Sequence, residues 1–312
     1  MSQRADFARD LARLVASWGS DSVAALEPQM AALLSDISDE QLAEYHERMS
    51  STGGDWDYYP PDLLARRISR TVMATVLLSG SGIENPDALA PAHERNAVLL
   101  GNHLSYVDVN VLDHLMSAAG HTEIADRLTT LAGPKVFSEP IRRLASLCFG
   151  TIKLPQSTSR ASGEAVMSPR EVAVLARKTI RAAVERQSEG DHLLVFPEGS
   201  RSRDGQMVRC LAAVARYLEG DSALVIPWGH HGCEQLFPVE DAQVHPARVR
   251  MRFGAVCESA ELLELCRGRR QLVADTAGYL IADCLPEAYR GFYGSVHEEL
   301  REAREIAHKL SS

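Results

Sequence analysis

Short apolar runs alternate with amphipathic segments along the chain beyond about residue 95. Short apolar runs are typical of strands buried on both faces of a sheet, whereas apolar residues at every third or fourth position indicate helices. The predicted strands span residues 97–100, 129–132, 151–154, 192–196, 223–226 and 249–253, and the predicted helices between them span 107–117, 139–147, 170–187 and 208–218. This alternation predicts an α/β fold whose central, mostly parallel sheet is flanked by helices.

The first eighty residues differ, because they predict helices without strands between them. These predicted helices span residues 6–18, 23–34, 39–49 and 62–78. Gly80, Ser81 and Gly82 then interrupt the pattern. We therefore predict a small helical domain over residues 1–80 and an α/β domain over residues 81–312. A further helix, rich in opposite charges, is predicted in the tail at residues 296–310.

The composition excludes several classes of protein. The 312 residues carry a formal net charge of -9 at pH 7. A nucleic-acid-binding protein needs a basic surface for its phosphate contacts, so nucleic acid is not an expected partner. The six cysteines are scattered without a Cys-x-x-Cys pair. We therefore expect buried intracellular thiols and no zinc site.

The sequence contains no segment that predicts a membrane span or an export signal. No window comes near the ~20 apolar residues that are needed to cross a bilayer. The N-terminus, Met-Ser-Gln-Arg-Ala-Asp, lacks the apolar core of a signal peptide. We therefore expect a cytoplasmic protein. If its substrate is a lipid, it meets the inner membrane surface peripherally, and the apolar face at residues 72–78 is the expected contact.

A histidine and an aspartate follow the first predicted strand of the α/β region. Residues 97–100 lead through Gly101 and Asn102 into His103, and Asp108 comes five residues later. A histidine just past a strand end faces a cleft, and a carboxylate in the next helical turn can reach back to its ring. This pair suits His103 as a general base and Asp108 as the group that fixes its tautomer. Ser105 and Asp108 also have the spacing of a helix capping box, and both roles can hold together.

A second polar segment follows the predicted strand at 192–196. It reads Pro197, Glu198, Gly199, Ser200, Arg201, Ser202, Arg203. The alternate spacing of the two arginines allows their guanidinium groups to converge on one anion, and phosphate oxygens suit them well. Gly199 allows close approach of the backbone. Taken alone, the segment is better explained as an ordinary turn that carries two surface arginines.

Together, the two segments resemble the sequence blocks of the glycerol-phosphate and lysophosphatidate acyltransferase family. Those blocks read Asn-His-x-x-x-x-Asp and Phe-Pro-Glu-Gly-x-Arg-Ser, in this order and about ninety residues apart. Residues 132–140 and 149–152 are similar to the stretch between the blocks, and residues 226–228 resemble a block that lines the acyl cleft. The resemblance covers residues 95–255. With the helical N-terminus, the layout is most similar to the soluble plastid-type glycerol-3-phosphate acyltransferases.

The resemblance implies transfer of a fatty acyl group from acyl carrier protein or acyl-coenzyme A to the hydroxyl of glycerol 3-phosphate or 1-acylglycerol 3-phosphate. His103 would deprotonate that hydroxyl, and Asp108 would steady the histidine. The implied partners are the acyl donor and a small phosphorylated acceptor, and the chemistry needs no metal, cofactor or acyl-enzyme. The residues expected to form the substrate site are Asn102, Lys135, Glu198, Gly199, Ser200, Arg201 and Arg203.

One position departs from the family's pattern and leaves alternatives open. The arginine expected shortly after the strand at 151–154 is replaced by Gln156, with Lys153 and Arg160 as substitutes nearby. The same acyl transfer to a non-glycerolipid acceptor, such as a specialised metabolite, sugar or amine, is therefore one alternative. A non-catalytic lipid- or carrier-binding module is the other. The His103–Asp108 pair argues against it, because a binding module needs no base.

Other motifs indicate no additional chemistry. His230 and His231 are adjacent on a predicted strand, where side chains point to opposite faces, so no metal site is predicted. These histidines are expected to line or plug the cleft. A serine hydrolase would need a Gly-x-Ser-x-Gly elbow, and a nucleotide-binding protein a Gly-x-Gly-x-x-Gly or Walker loop. The sequence contains none of these motifs.

Overall fold

A single mixed sheet forms the centre of the protein. The computed structural model describes residues 3–17, 22–50, 54–137, 140–155, 167–220, 223–238 and 243–312. Within these ranges the strands are β1 (Tyr58–Tyr59), β2 (Gly82–Ile83), β3 (Ala97–Gly101), β4 (Leu128–Ala132), β5 (Gly150–Lys153), β6 (His192–Val195), β7 (Leu224–His231), β8 (Arg250–Phe253) and β9 (Cys257–Glu258). Their order across the sheet is β1-β5-β4-β6-β3-β7-β8-β2, and β9 pairs with β7.

The middle of the sheet is parallel, and its edges are mixed. Strands β5, β4, β6, β3 and β7 each pair in parallel with the next. At the edges, β1 is antiparallel to β5, and both β8 and β9 are antiparallel to β7. The predicted α/β fold with a central, mostly parallel sheet and flanking helices is confirmed.

Helices cover both faces of this sheet. The helices are α1 (Gln3–Ala16), α2 (Val23–Leu33), α3 (Asp39–Ser50), α4 (Leu63–Val76), α5 (Asp108–Ala118), α6 (Thr122–Asp126), α7 (Pro140–Leu147), α8 (Pro169–Ser188), α9 (Cys233–Leu236), α10 (Ser259–Leu265), α11 (Arg270–Ala282) and α12 (Arg301–Leu310). Local chemistry starts several of them. The carboxylate of Asp62 accepts the Ala65 N–H to cap α4, and Ser168 and Glu171 form a capping box at the start of α8.

The alternation of side chains along β3 divides the hydrophobic core between the two faces. Ala97 and Leu99 belong to a cluster with the N-terminal helices and α5. Val98 and Leu100 point to the other face, where they join a cluster with α11 and α12. All four side chains are fully buried. Because β3 is covered on both faces, its carboxyl end is held rigidly.

The N-terminal region shares the core of the α/β region. Tyr58 and Tyr59 form the edge strand β1, and apolar side chains from α1 to α4 lie in the same cluster as Leu99. The domain boundary near residue 80 stays a prediction. The expected membrane-contacting face at residues 72–78 is wrong, however, because Val72 and Val76 are 5% and 0% exposed and pack into this core.

Several predicted elements differ from the observed ones. The helix expected at 208–218 is a short 3-10 turn, Ala212–Tyr217. The strand expected at 223–226 continues to His231 as β7, and the tail helix begins only at Arg301. The strands β1, β2 and β9 have only two residues each, which is too short for a pattern to be recognised in the sequence. Among the residues described, no helix has the length and apolar character that a bilayer span requires.

Candidate active site

The predicted site residues lie at the carboxyl ends of neighbouring parallel strands. His103 follows β3, Arg201 follows β6, and His230 lies near the end of β7. Lys135 follows β4, which is the neighbour of β6 on the other side. Parallel pairing brings these ends to one edge of the sheet, where open α/β sheets bind their ligands. Gln156 and Arg160, which follow β5, lie outside the described residues.

His103 and Asp108 form a hydrogen-bonded pair. The Nδ1 atom of His103 lies 2.8 Å from Oδ2 of Asp108. The same oxygen accepts the backbone N–H groups of Leu104 at 2.8 Å and Ser105 at 2.9 Å. Asp108 is completely buried, whereas the His103 side chain is 20% exposed. The predicted capping box is not formed, because the N-cap of α5 is Val107 and not Ser105. Asp108 instead holds the loop before α5 and orients the ring.

The geometry defines which nitrogen of His103 can act as a base. Because Nδ1 faces a carboxylate, it carries the proton and donates it, which leaves the Nε2 lone pair available. Burial lowers the pKa of His103, Asp108 opposes this effect, and Arg201 and His230 add to it. The imidazole is therefore neutral at neutral pH, as a general base must be.

A second histidine lies on the other side of Asp108. Nε2 of His230 is 3.0 Å from Oδ1 of Asp108, although the angle is outside hydrogen-bond geometry. Burial opposes ionisation of Asp108, but His230 and His103 together hold the pKa of its carboxyl well below its usual value. Asp108 therefore remains charged between two imidazoles.

Asp108, His230 and Cys233 also have ligand atoms within 4.8 Å of one another, which makes them candidate metal ligands. Burial raises the pKa of the Cys233 thiol well above its usual value, so the protonated form dominates. A protonated thiol is a poor metal ligand. Oδ2 of Asp108 is in addition already engaged by three donors. The chemistry of these three side chains therefore fits support of the His103 pair better than a metal site.

Asn102 joins the loop after β3 to β7. Its side-chain amide donates to the His230 carbonyl at 3.0 Å and its oxygen accepts the His230 N–H at 2.9 Å. Asn102 is 1% exposed, so it supports the site from inside the protein. Beside it, Gly101 lies against the Trp228 ring, and a Cβ there would come within 2.2 Å of that ring. Only glycine allows β3 and Trp228 to approach so closely.

Glu198 joins the loop after β3 to the loop after β6. Its Oε1 accepts the His103 N–H at 2.9 Å, and its Oε2 accepts the Val208 N–H at 2.7 Å. Burial raises the pKa of Glu198 to about 7, and the two N–H groups oppose that rise. The Phe196 ring stacks on the His103 ring at 4.1 Å between centroids. These contacts fix the backbone and the ring plane of His103.

Arg201 and Arg203, predicted to converge, lie in different environments. The guanidinium carbon of Arg201 lies 3.5 Å from the centroid of the Tyr106 ring. The loop that carries it is bonded to the histidine loop, because the Ser202 N–H donates to the His103 carbonyl at 2.7 Å. Arg203 is exposed and makes no hydrogen bond or ion pair within the described part of the chain. Arg201 is thus half-buried against Tyr106, whereas Arg203 is exposed to solvent.

The other predicted substrate-binding residues differ in accessibility. Gly199 and Ser200 are exposed at the turn after β6, and Gly199 has a φ of 70°, which favours glycine. Lys135 is half-buried in the 3-10 turn Pro134–Phe137 after β4. Lys153 is 8% exposed and lies over the rings of Trp56 and Phe137. Lys153 is thus enclosed by aromatic rings.

Residues 81–230 match the family model described as Acyltransferase. These residues are thus similar to the acyltransferase family, and the chain is an acyltransferase enzyme. The recognition and the enzyme class predicted from the two sequence blocks are confirmed at this level. No curated protein matches the chain significantly. Among solved structures, the crystal structure of the 1-acyl-sn-glycerophosphate (LPA) acyltransferase PlsC from Thermotoga maritima is 14% identical, over 79% of this chain and 75% of that chain, with a TM-score of 0.44.

The sequence did not predict the roles of two residues of this acyltransferase's site. His230 was expected to line the cleft without holding a metal, whereas the structure has it beside Asp108. Arg142 on α7 has its guanidinium carbon 4.2 Å from the centroid of the Tyr106 ring, which is the ring that Arg201 also contacts. A pair of arginines at 142 and 143 gives no motif, so only the packing of α7 against the loop after β3 identifies Arg142.

Proposed function

We propose that this acyltransferase moves a fatty acyl group from acyl carrier protein or acyl-coenzyme A to the hydroxyl of glycerol 3-phosphate or 1-acylglycerol 3-phosphate. The observation that carries the proposal is the His103–Asp108 pair, in which a buried carboxylate holds Nδ1 of a partly exposed histidine at 2.8 Å. The half-buried guanidinium of Arg201 beside it suits an anionic acceptor. The named substrate of the Thermotoga enzyme is of the same class.

The reaction transfers the acyl group directly from the sulfur of a thioester to the hydroxyl oxygen of the acceptor. Nε2 of His103 takes the proton of the acceptor hydroxyl while that oxygen attacks the thioester carbonyl. Asp108 stabilises the imidazolium that forms. The tetrahedral intermediate then collapses, the C–S bond breaks, and the imidazolium returns its proton to the leaving thiolate. The products are an oxygen ester and a free thiol, so the proposal requires neither an acyl-enzyme nor a metal or prosthetic group.

The cellular setting is part of the same proposal. We place the enzyme in the cytoplasm, with peripheral contact at the inner membrane surface when the acceptor is a lipid such as 1-acylglycerol 3-phosphate. Sedimentation with phospholipid vesicles measures this contact. A protein that stays in the supernatant at every lipid concentration, while acylating 1-acylglycerol 3-phosphate, would contradict it.

The experiment that tests the function is thiol release from palmitoyl-coenzyme A and palmitoyl acyl carrier protein, with and without each acceptor. The His103→Ala variant should lose ~100-fold or more of the acceptor-dependent rate, because the base is removed. His308→Ala is the matched control, since His308 is exposed on α12. Release without an acceptor would indicate a thioesterase instead. Transfer only to non-phosphorylated alcohols, sugars or amines would exclude the glycerophosphate acceptor.

A further inference from the structure

Two guanidinium groups from different parts of the fold contact one aromatic ring. Arg201, from the loop after β6, and Arg142, from α7, lie 3.5 and 4.2 Å from the centroid of the Tyr106 ring. Both arginines are half-buried. The π face of the ring attracts both guanidinium groups. The two cations lie close enough for the charge of Arg142 to lower the pKa of Arg201.

This arrangement is electrostatically incomplete at Arg201. Its Nη1 atom is buried and has no hydrogen-bond partner among the described residues. Burial lowers the pKa of Arg201, the nearby Tyr106 side chain opposes this, and Arg142 lowers it again by charge repulsion. A buried donor without an acceptor costs free energy, and so does repulsion between like charges. An anion beside Tyr106 would relieve both costs.

The position of this ring connects the two arginines to the catalytic histidine. Tyr106 lies in the loop between β3 and α5, three residues after His103. The loop that carries Arg201 is bonded to the His103 loop, since the Ser202 N–H donates to the His103 carbonyl at 2.7 Å, and the charge of Arg201 lowers the pKa of His103. A small acceptor whose anionic group lies at Tyr106 can therefore present a neighbouring hydroxyl to Nε2 of His103.

We propose that Arg142 and Arg201 together bind the phosphate monoester of the acceptor against Tyr106, and that Arg142 is a specificity-determining residue. This inference rests on the proposed function and deepens it. Two guanidinium groups match the charge of a phosphate monoester, which is close to dianionic at neutral pH, and their planar donors fit its oxygens. The second cation at Tyr106 is Arg142. Arg203 is exposed, and Lys153 is enclosed by the rings of Trp56 and Phe137.

The direct test measures binding without turnover. In a His103→Ala background, isothermal titration calorimetry gives the Kd for glycerol 3-phosphate. Adding Arg142→Ala should raise that Kd by about 10- to 100-fold, the loss expected for charge-assisted hydrogen bonds. Arg142→Lys should fall between the two, because it keeps the charge and loses the planar fork. Arg270→Ala, which removes an exposed arginine paired with Glu219, should leave the Kd unchanged.

Steady-state kinetics with otherwise wild-type protein separate this inference from the proposed function. Arg142→Ala should raise the KM for glycerol 3-phosphate by a similar factor while the KM for the acyl donor stays the same. Any rate of transfer to glycerol, which has no phosphate, should also stay the same. Arg142→Gln is the substitute if the alanine variant does not fold. Unchanged Kd and KM in an active enzyme would overturn the role of Arg142 and leave the proposed function standing. A wild type that acylates only non-phosphorylated acceptors would overturn both.

Discussion

Asp108 is the residue on which most of the site depends. One of its oxygens receives the His103 ring and two backbone N–H groups, and the other lies 3.0 Å from His230. A single buried carboxylate therefore shapes the loop, fixes the tautomer of His103 and balances two imidazoles. Asparagine, which is neutral and similar in shape, can still shape the loop. It cannot fix the tautomer of His103 or balance the charge of the imidazoles.

Replacing Asp108 with asparagine should lower kcat by about 100- to 10,000-fold, because the imidazolium loses its counter-charge and its tautomer. The pH profile of kcat/KM should move as well. In the wild type the acidic limb lies below the ordinary histidine pKa of 6.5, because burial lowers the pKa of His103 and Asp108 only partly opposes it. Removing that charge lowers the pKa again, so the limb should move to lower pH. Asp36→Asn, at an exposed ion pair with Arg67, is the control. An acidic limb that stays in place would contradict the assignment.

At the scale of elements, the loops after β3 and β6 behave as one unit. Glu198 bonds the backbone of both, and Ser202 returns a bond to the His103 carbonyl. Asn102 ties the same loop to β7. His103 is therefore held by contacts from three strands, β3, β6 and β7. The buried Glu198 side chain joins the backbones of the loops after β3 and β6.

Because Glu198 is buried, the free energy of unfolding should depend on pH. Burial raises the pKa of Glu198 to about 7 in the folded protein, against an ordinary value of 4.5. The native state thus favours protonated Glu198, and this contribution is lost as the pH rises from about 4.5 to about 7. Relative to Glu198→Gln, which does not titrate, the wild type should lose about 3 kcal/mol of unfolding free energy over that window. Urea unfolding at several pH values measures it, with exposed Glu47→Gln as the control. A difference that is constant with pH would argue against the raised pKa.

The sequence predicted the elements whose periodicity is strong and the residues that belong to a local motif. The strands at β3, β4, β5 and β6 and the His103–Asp108 pair follow from such patterns. The extension of β7 to His231 was not predicted, because Pro227 and Gly229 interrupt its apolar run. Arg142 was missed for a different reason. Its position at Tyr106 depends on how α7 packs, and a pair of arginines on a short helix carries no such information.

At the scale of the whole molecule, two buried clusters enclose the sheet, and the cysteines lie within this interior. All six are free and buried, and none is more than 7% exposed. Burial also raises the pKa of thiols such as Cys148, to about 12. The burial predicted from their scattered positions is confirmed. Thiol chemistry in this protein therefore reports on unfolding of the core.

Ellman's reagent should label less than one thiol per chain in the native protein within minutes, and all six in concentrated urea. The reagent needs an accessible thiolate, and burial removes both the access and the charge. At intermediate urea concentrations the labelled fraction should follow the loss of circular dichroism. Rapid labelling of any thiol under native conditions would show that part of the core opens without global unfolding.

The division of the site between elements has an evolutionary consequence. The machinery of acyl transfer is confined to the loops after β3 and β6 and to the end of β7, which hydrogen bonds of Asn102, Glu198 and Ser202 join to one another. Arg142 comes from α7, and it makes none of the contacts that orient His103. With the proposed role of Arg142, mutations on α7 would change the acceptor while the base remains intact. A lineage built on this scaffold is free to diversify its products by changing a single helix.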